Sequence, residues 1–277
     1  MNREIKKMGS RRIGLALIAL CLLGLPAVAH EGIYEQIAEL TRRIRREPQH
    51  PAYYLKRGEL FRLLKQWDSA LADYDRAATL DPTSVEVEFF RGRMWAEARQ
   101  PGRARVALDR FLRAKPADME GRLTRARLFA RLGHTAAAVA DYSQVIDFSP
   151  QPKPDHLIER ARVQVTAGEF AAALRGLDEG LTKLGPIVTL QVEAIEIELK
   201  NRNLDGALAR LDAAAAPSPR QEQWLTRRGE ILLKAGRRAE AKVAFAAALT
   251  AIEALPIHLR QVKATIALEK KVRTLLS

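Results

Sequence analysis

The sequence predicts an all-α protein built from about six helix–turn–helix repeats, with a capping helix at each end. Apolar residues recur at intervals of three and four, which places them on one face of a helix. Alanines recur every 34 or 35 residues, at Ala70, Ala104, Ala138, Ala173, Ala207 and Ala241. Prolines follow at a matching phase, at Pro82, Pro116, Pro150 and Pro219, with Pro186 one place late.

Residues 51–84 contain the first complete copy of the pattern. Their second half carries Ala70, Tyr74 and Ala77 on one helical face. Asp81 precedes Pro82 and is a helix stop, because a residue before proline is pushed out of the helical region. A single helix pair cannot bury its apolar face alone, so we expect successive copies to stack.

The 34-residue period and its residue set resemble the tetratricopeptide repeat (TPR) family. Gly58, Gly92 and Gly229 occupy the close-contact position of the first helices, where Ala126 and Ala161 replace glycine. The resemblance implies a right-handed superhelical solenoid with repeats at 51–84, 85–118, 119–153, 154–187, 188–221 and 222–256. Repeat two departs from the pattern at Phe111, where a small residue is usual. Repeat five departs at Ile195 and Glu198, which replace a glycine and an aromatic residue.

Residues 1–29 are predicted to be a secretory signal peptide. A basic head precedes the apolar run 13–25, and the small residues Ala27 and Ala29 mark a cleavage site before His30. The run is shorter than the ~20 residues of a membrane-spanning helix, so we expect no integral span in the mature chain. Leu20 before Cys21 argues against a lipoprotein signal, because such signals resemble each other in having a small residue there. We therefore expect a periplasmic or secreted protein.

The two ends of the mature chain are predicted to be capping helices, at residues 30–50 and 257–277. Ile33, Ile37, Leu40 and Ile44 give the first an amphipathic face. The second carries its apolar residues at Leu259, Val262, Ile266, Val272 and Leu275. A polar outer face on such an element keeps a terminal repeat soluble. No glycine- or serine-rich linker separates the repeats, so we expect one continuous solenoid domain.

Composition restricts the chemistry that the mature chain can perform. Residues 30–277 contain no cysteine, which excludes disulfides, iron–sulfur clusters and thiol catalysis. The sequence has no glycine-rich phosphate loop, zinc-protease motif or serine nucleophile elbow, and its five histidines are scattered. We therefore expect neither an enzyme nor a metal or cofactor site.

Two sets of recurring arginines bear on binding. At the seventh position of the first helices, Arg57 and Arg125 stand sixteen positions before Asp73 and Asp141, which favours ion pairs between the two helices of a repeat. The TPR resemblance places the ninth-position residues in a concave groove. These include Arg93, Arg127 and Arg162, with Phe89, Phe90, Leu123 and Ile158 alongside.

Such a groove suits a peptide with apolar side chains and an acidic or C-terminal carboxylate group, which arginine holds bidentately. The competing interpretation is a solvated arginine face answered by Glu86, Glu120 and Asp155. The asparagine-and-lysine clamp of TPR co-chaperones is absent.

The sequence thus predicts an exported, non-enzymatic scaffold that binds a protein or peptide partner. An envelope assembly or maturation factor for a secreted or membrane enzyme is the first alternative. A binder of anionic polymers is the second, because the formal net charge is +13. Interleaved glutamates and few aromatic residues argue against nucleic acid.

Overall fold

The computed structural model describes residues 25–277, and their side chains from residue 32 onward. In this part of the chain all the regular structure is helical, which confirms the predicted all-α class. The helices are α1 (Leu25–Arg46), α2 (Pro51–Leu63), α3 (Trp67–Leu80), α4 (Glu86–Glu97), α5 (Pro101–Ala114), α6 (Met119–Arg131), α7 (Thr135–Asp147), α8 (Pro154–Thr166), α9 (Phe170–Leu184), α10 (Val188–Lys200), α11 (Leu204–Ala215), α12 (Gln221–Lys234), α13 (Arg238–Glu253), α14 (Ile257–Arg260) and α15 (Lys263–Leu276).

The helices follow one another in pairs, and each of the six predicted repeat segments holds two of them. Proline begins α2, α5 and α8, where its missing N–H removes no helical hydrogen bond. The predicted signal peptide lies outside the described residues except for the backbone of its last five residues, which begin α1. The lipoprotein question at Cys21 lies outside them as well.

A second periodic feature lies in the turn between the two helices of each pair. Its backbone is left-handed at Lys65, Arg99, Gly133, Gly168, Arg202 and Gly236. These positions are 34 or 35 residues apart, the same period as the alanines. Glycine adopts this conformation at no steric cost, whereas the three basic residues are strained there. The turn geometry is therefore set by the fold, even where the sequence does not favour it.

The predicted close contact of the first helices is observed at each glycine position. A Cβ added at Gly58 would lie 2.6 Å from Tyr74 Cε1, one at Gly92 2.7 Å from Leu108 Cγ, and one at Gly229 2.4 Å from Phe245 Cε1. The contacted residue is always sixteen positions later. Glycine is therefore needed here for space, because a large side chain of the second helix lies against the backbone of the first.

The described chain divides into two compact units, the first ending at Leu128 and the second running Phe129–Ser277. The division falls inside α6, whereas the sequence predicted one continuous domain. In the first unit, two core clusters are centred on Tyr74 and on Leu108. In the second, clusters centred on Leu177 and on Phe245 fill the space between the helix pairs.

The C-terminal cap is two helices, α14 and α15, where the sequence predicted one. Val262 separates them in an extended conformation with ψ of 133°. The break shifts the helical phase, so Val262 and Ile266 are exposed although the sequence analysis placed them on the apolar face. Val272 is fully buried, and Leu268, Leu275 and Leu276 pack against the core of the second unit.

Candidate functional site

A cleft of about 570 Å³ opens in the first unit between α1, α2 and α4. Its lining combines an apolar floor with polar edges. Leu40, Ala52, Leu55, Leu60 and Phe90 form the floor, and Gln36, Glu39, Arg43, Lys56 and Glu59 lie at the edges. We call this the α1–α2 cleft.

Helical periodicity explains why these residues converge. Gln36, Leu40 and Arg43 are four and three residues apart, so they share one face of α1. On α2, Ala52, Leu55 and Glu59 are three and four residues apart, and Lys56 is next to Leu55. Residues of α1 and α2 thus line one space.

Phe90 closes the α1–α2 cleft from α4 and is held there by other aromatic rings. It stacks on Tyr74 with 6.0 Å between ring centroids, and Phe89 lies 5.5 Å away. Tyr74 is itself fully buried. The aromatic wall is therefore anchored in the core of the unit.

Glu59 connects the edge of the cleft to a buried ion-pair network. It accepts hydrogen bonds from the Tyr74 hydroxyl at 2.5 Å and from Arg62 Nε at 3.2 Å, and it pairs with Arg93. Arg62 also binds Glu97, at 2.6 Å. Burial, and then the hydrogen bond to Glu59, raises the pKa of Tyr74 well above its usual range. The network fixes both oxygens of Glu59 on this side of the cleft.

The other edge residues are less constrained. Arg43 and Arg42 both donate to Glu39, at 2.9 and 2.8 Å, on the surface of α1. Lys56 is exposed and forms no ion pair with any residue that the structure describes. A ligand in the cleft would therefore meet Lys56 and the apolar floor first.

The structure distributes the predicted groove residues over both units. Phe89, Phe90 and Arg93 lie together on α4, with the Arg93 guanidinium 5.5 Å from the Phe89 ring centroid. Leu123 and Arg127 lie one turn apart on α6, at partly buried and exposed positions, in the first unit. Ile158 and Arg162 belong to α8 of the second unit. A groove spanning both units stays a prediction.

Two of the predicted groove residues are too deeply buried to offer a partner much contact surface. Phe89 and Ile158 are 8% and 9% exposed and belong to core clusters. Phe89 packs on Phe111 with ring centroids 5.2 Å apart. Both therefore stabilise the fold and offer a partner little surface, whereas Phe90 faces the α1–α2 cleft.

Arg93 and Arg162 both have carboxylate partners within their own unit. Arg93 pairs with Glu59 and, at 3.2 Å, with Glu120. Arg162 binds Glu193 through two hydrogen bonds of 2.9 and 2.7 Å, which raise the pKa of Arg162. A partner carboxylate at either arginine would have to compete with these groups.

Only one of the acids expected to answer the arginines is observed to do so. Glu120 binds Arg93 of the preceding helix pair. Glu86 instead pairs with Lys115, and this hydrogen bond holds the pKa of Glu86 below its usual range. The expected acids Glu86, Glu120 and Asp155 lie on the same helices as the groove arginines. Arg93 and Arg162 instead bind carboxylates of neighbouring helices.

Family models match most of the described chain. A model described as tetratricopeptide repeat matches residues 37–85 and 96–152, and one described as tetratricopeptide repeat-like domain matches residues 180–266. The chain carries tetratricopeptide repeats. No curated protein sequence matches it significantly.

Solved TPR structures share the fold at low sequence identity. A TPR protein from Parabacteroides merdae is 16% identical, with a TM-score of 0.54 over 89% of this chain and 94% of that one. The type IV pilus biogenesis factor PilW is 18% identical, with a TM-score of 0.56 over 71% and 90%. YrrB, described as a TPR protein with an unusual peptide-binding site, is 17% identical, with a TM-score of 0.51 over 67% and 95%.

The departures from the TPR pattern are compensated within the same unit. Phe111 of repeat two is accommodated by Gly121, where an added Cβ would lie 2.6 Å from the ring. Glu198 of repeat five is buried and binds Arg210 at 3.0 Å and Asn203 at 2.8 Å. Arg210 also binds Asp178 at 2.6 Å, and chiefly for that reason its pKa is raised. A polar network thus replaces the usual aromatic contact of the TPR.

The predicted ion pair between the helices of one TPR is confirmed in the first repeat. Arg57 binds Asp73 through two hydrogen bonds of 2.8 and 2.7 Å, and the pKa of Arg57 is raised by this contact. The arginines equivalent to Arg57 in three other repeats bind the aspartate sixteen positions before them. These pairs are Arg91–Asp75, Arg125–Asp109 and Arg228–Asp212. The same arginine position thus braces helices within a TPR or between successive TPRs.

Two further findings for the described residues concern membrane spans and metal ions. No helix in residues 25–277 combines the length and apolar character that crossing a membrane requires. Within the described chain, no group of three or more His, Cys, Asp or Glu is arranged to hold a metal ion.

No sequence motif indicates the α1–α2 cleft as a whole. Phe90 is a predicted groove residue, whereas the sequence indicates α1 only as a capping helix. The shared spacing of Gln36, Leu40 and Arg43 with Ala52 and Leu55 could have indicated two facing helices. Whether two such faces touch or leave a cleft depends on the angle between the helices, which the spacing does not specify.

Proposed function

We propose that this TPR protein is a non-enzymatic interaction scaffold that binds a protein or peptide segment in the α1–α2 cleft. The observation that carries the proposal is the apolar floor of that cleft, which is bordered by charged residues and closed on one side by Phe90. A volume of 570 Å³ lies within the range of pockets that take small ligands or a few side chains. An amphipathic helix laid in a groove between helices is a common way to fill such a space.

The chemistry of the floor determines which partner is favoured. Leu40, Leu55 and Phe90 offer apolar contact, whereas Glu59 is already engaged by Tyr74 and arginines. We therefore infer that a partner is recognised first by apolar side chains. A partner carboxylate is secondary, and exposed Lys56 is the group that would meet it.

The TPR models and fold support a scaffold more than an enzyme, since function depends on the site and not on the fold. Repeats that match TPR models are generally interaction modules. YrrB, of the same fold, carries a peptide-binding site by its own description, which makes peptide binding compatible with this architecture.

Export is the second part of the proposal, and it rests on residues 1–29 alone. If the segment is a signal peptide, the mature protein begins at His30. N-terminal sequencing of the protein purified from the cell envelope tests this. Full-length protein retained in the cytosol would remove export from the proposal and leave the binding cleft untouched.

Site-specific photo-crosslinking tests the cleft directly. A benzophenone amino acid at Lys56 should crosslink to one segment of one partner in an envelope extract, identified by mass spectrometry. The same probe at Val243, which is 71% exposed on α13, is the matched control. Equal crosslinking from both positions, or none from Lys56, would refute binding in the α1–α2 cleft.

A quantitative measurement follows once that segment is known. The substitution Leu55→Gln leaves a polar group on the cleft floor, and we expect it to weaken binding of the synthetic segment by roughly tenfold, about the loss of one apolar contact. Circular dichroism provides the folding control for the variant. Unchanged affinity would place the segment elsewhere on the protein.

A further inference from the structure

A second cleft, separate from the α1–α2 cleft, lies on α5 in the first unit. Its volume is about 400 Å³, and it is formed by residues of α3, α4 and α5. Leu71, Trp95, Val106 and Ala107 provide its apolar surface, with Glu88, Arg91, Arg103 and Arg110 around them. We call this the α5 cleft.

Helix α5 carries an unusual excess of positive charge beside this cleft. Arg103, Arg105, Arg110 and Arg113 are all exposed, and Asp109 is the one acid of the helix. Asp109 already binds Arg125 at 2.9 Å. Helix α5 thus has four arginines against one acid, in a chain of net charge +13. The surface around the α5 cleft is therefore strongly basic.

The one acid that lines the cleft, Glu88, leaves part of this charge unpaired. Glu88 binds Arg91 at 2.7 Å and lies 3.6 Å from Arg110, while Arg91 also pairs with Asp75. The side chain of Arg110 is 61% exposed. Arg103 has no carboxylate partner among the described residues and instead lies 4.8 Å from the Trp95 ring centroid.

The spacing of these groups matches an extended or helical ligand along α5. Arg103, Val106, Arg110 and Arg113 are three, four and three residues apart, so they form one stripe on the helix. Val106 is 47% exposed in the middle of the stripe. An apolar contact thus lies between guanidinium groups, which hold carboxylates bidentately.

We propose that the α5 cleft binds an acidic segment of a protein partner, with one apolar side chain of that segment seated against Val106 and Trp95. Complementary charge brings the segment to the arginine stripe, and the apolar side chain fixes its register. Single-stranded nucleic acid fits less well, because Arg103 covers the face of Trp95 on which a base would stack. This binding site is independent of the α1–α2 cleft.

Fluorescence anisotropy with the full chain and a labelled peptide tests the proposal. The peptide is a run of glutamates with one central leucine, and the comparison peptide replaces that leucine with glycine. The double substitution Arg103→Glu with Arg110→Glu should weaken binding of the leucine peptide roughly tenfold or more. The milder pair Arg103→Gln with Arg110→Gln should weaken it less, and circular dichroism verifies that both variants fold.

A control variant separates a specific site from net charge. Arg238→Glu with Lys242→Glu makes the same change of charge at exposed positions of α13 in the second unit. We expect this control to change the affinity by less than about twofold, since screened charges act weakly beyond a Debye length. Equal loss in both double variants would overturn the proposal and indicate general electrostatic attraction.

Two further results would also overturn it. Equal affinity for the leucine and glycine peptides would remove the apolar contact from the argument. Tighter binding of a polyuridylate oligonucleotide, lost in the Arg103→Glu and Arg110→Glu variant, would assign the α5 cleft to nucleic acid. The proposal is supported if the native chain prefers the leucine peptide and the Arg103→Glu with Arg110→Glu variant loses that preference. The α13 control should retain it.

Discussion

The contact between Gly229 and Phe245 gives the sharpest test of the repeat packing. Gly229 lies on α12, and Phe245 is fully buried on α13 in the core of the second unit. The substitution Gly229→Ala would put a Cβ 2.4, 2.5 and 2.8 Å from three ring atoms of Phe245. All three distances lie well below van der Waals contact, so either the ring or the helices must shift.

Two opposing effects set the magnitude. Alanine in a helix is favoured over glycine by about 1 kcal/mol. Forcing an extra carbon into a packed core costs about 1–3 kcal/mol. The clash is with the side of a rigid buried ring and not with a flexible side-chain end, so the upper part of that range applies. We expect a net destabilisation of about 1–2 kcal/mol.

Denaturant unfolding followed by circular dichroism measures this change, and hydrogen exchange shows where it acts. Protection should fall mainly in α12 and α13, because each repeat depends on its neighbours. Gly102→Ala on α5 is the matched control, since nothing lies within 4 Å of the added carbon. It should be neutral or stabilising by up to about 1 kcal/mol.

A double-mutant cycle isolates the contact itself. Phe245→Leu removes the ring that the new Cβ meets, so Gly229→Ala should cost less in that background than in the native chain. Strictly additive free energies would mean that the two residues do not interact. A native-like stability of Gly229→Ala alone would refute the packing argument for the glycine position.

Three further predictions concern single interactions of the first unit. Asp73→Asn removes the charge that holds Arg57 and should cost about 1–3 kcal/mol in denaturant unfolding; no loss would mean the pair is only superficial. Lys65→Gly relieves a backbone φ of +58° and should raise stability by about 1 kcal/mol, seen as a higher Tm. Tyr74→Phe should cost about 0.5–1.5 kcal/mol at pH 7. The pKa of Tyr74 is raised by folding, so its contribution is present below about pH 10 and declines above it. The deficit of Tyr74→Phe should therefore shrink in unfolding measurements above pH 10, and a constant deficit would contradict the shift.

The parts of the fold that could be predicted depend on spacing along the chain. The positions of Gly58 and Gly229 indicated close helix contacts, and the structure has a large buried side chain sixteen residues after each. The pairing of Arg57 with Asp73 followed from the same arithmetic. Contacts within a helix pair are local in sequence, so a repeated pattern specifies them.

The parts that could not be predicted depend on angles and on context. The α1–α2 cleft depends on how α1, α2 and α4 pack, and residue spacing does not specify the angle between helices. The break at Val262 has no glycine or proline beside it to indicate that the cap is two helices. Lys65 gives no sign of a left-handed turn, because lysine rarely adopts that conformation and only three of the six equivalent positions hold glycine.

Periodicity also separates arginines that support the fold from arginines that can bind a partner. Arg57, Arg91 and Arg228 recur in phase, and each is paired with a carboxylate of a neighbouring helix. A charge that braces neighbouring helices in several repeats thus returns with the period of the repeat.

Two arginines of the α5 stripe, Arg103 and Arg113, follow a different rule, whereas Arg110 has Arg76 34 residues before it. The positions 34 residues before and after Arg103 hold Ser69 and Ala137, and those around Arg113 hold Thr79 and Asp147. Stacking of the repeats therefore does not require an arginine at either place, and neither side chain is paired with a carboxylate that the structure describes. An exposed cation that the scaffold neither repeats nor neutralises is best explained by an external ligand, which is the physical basis for assigning the α5 cleft to an acidic partner.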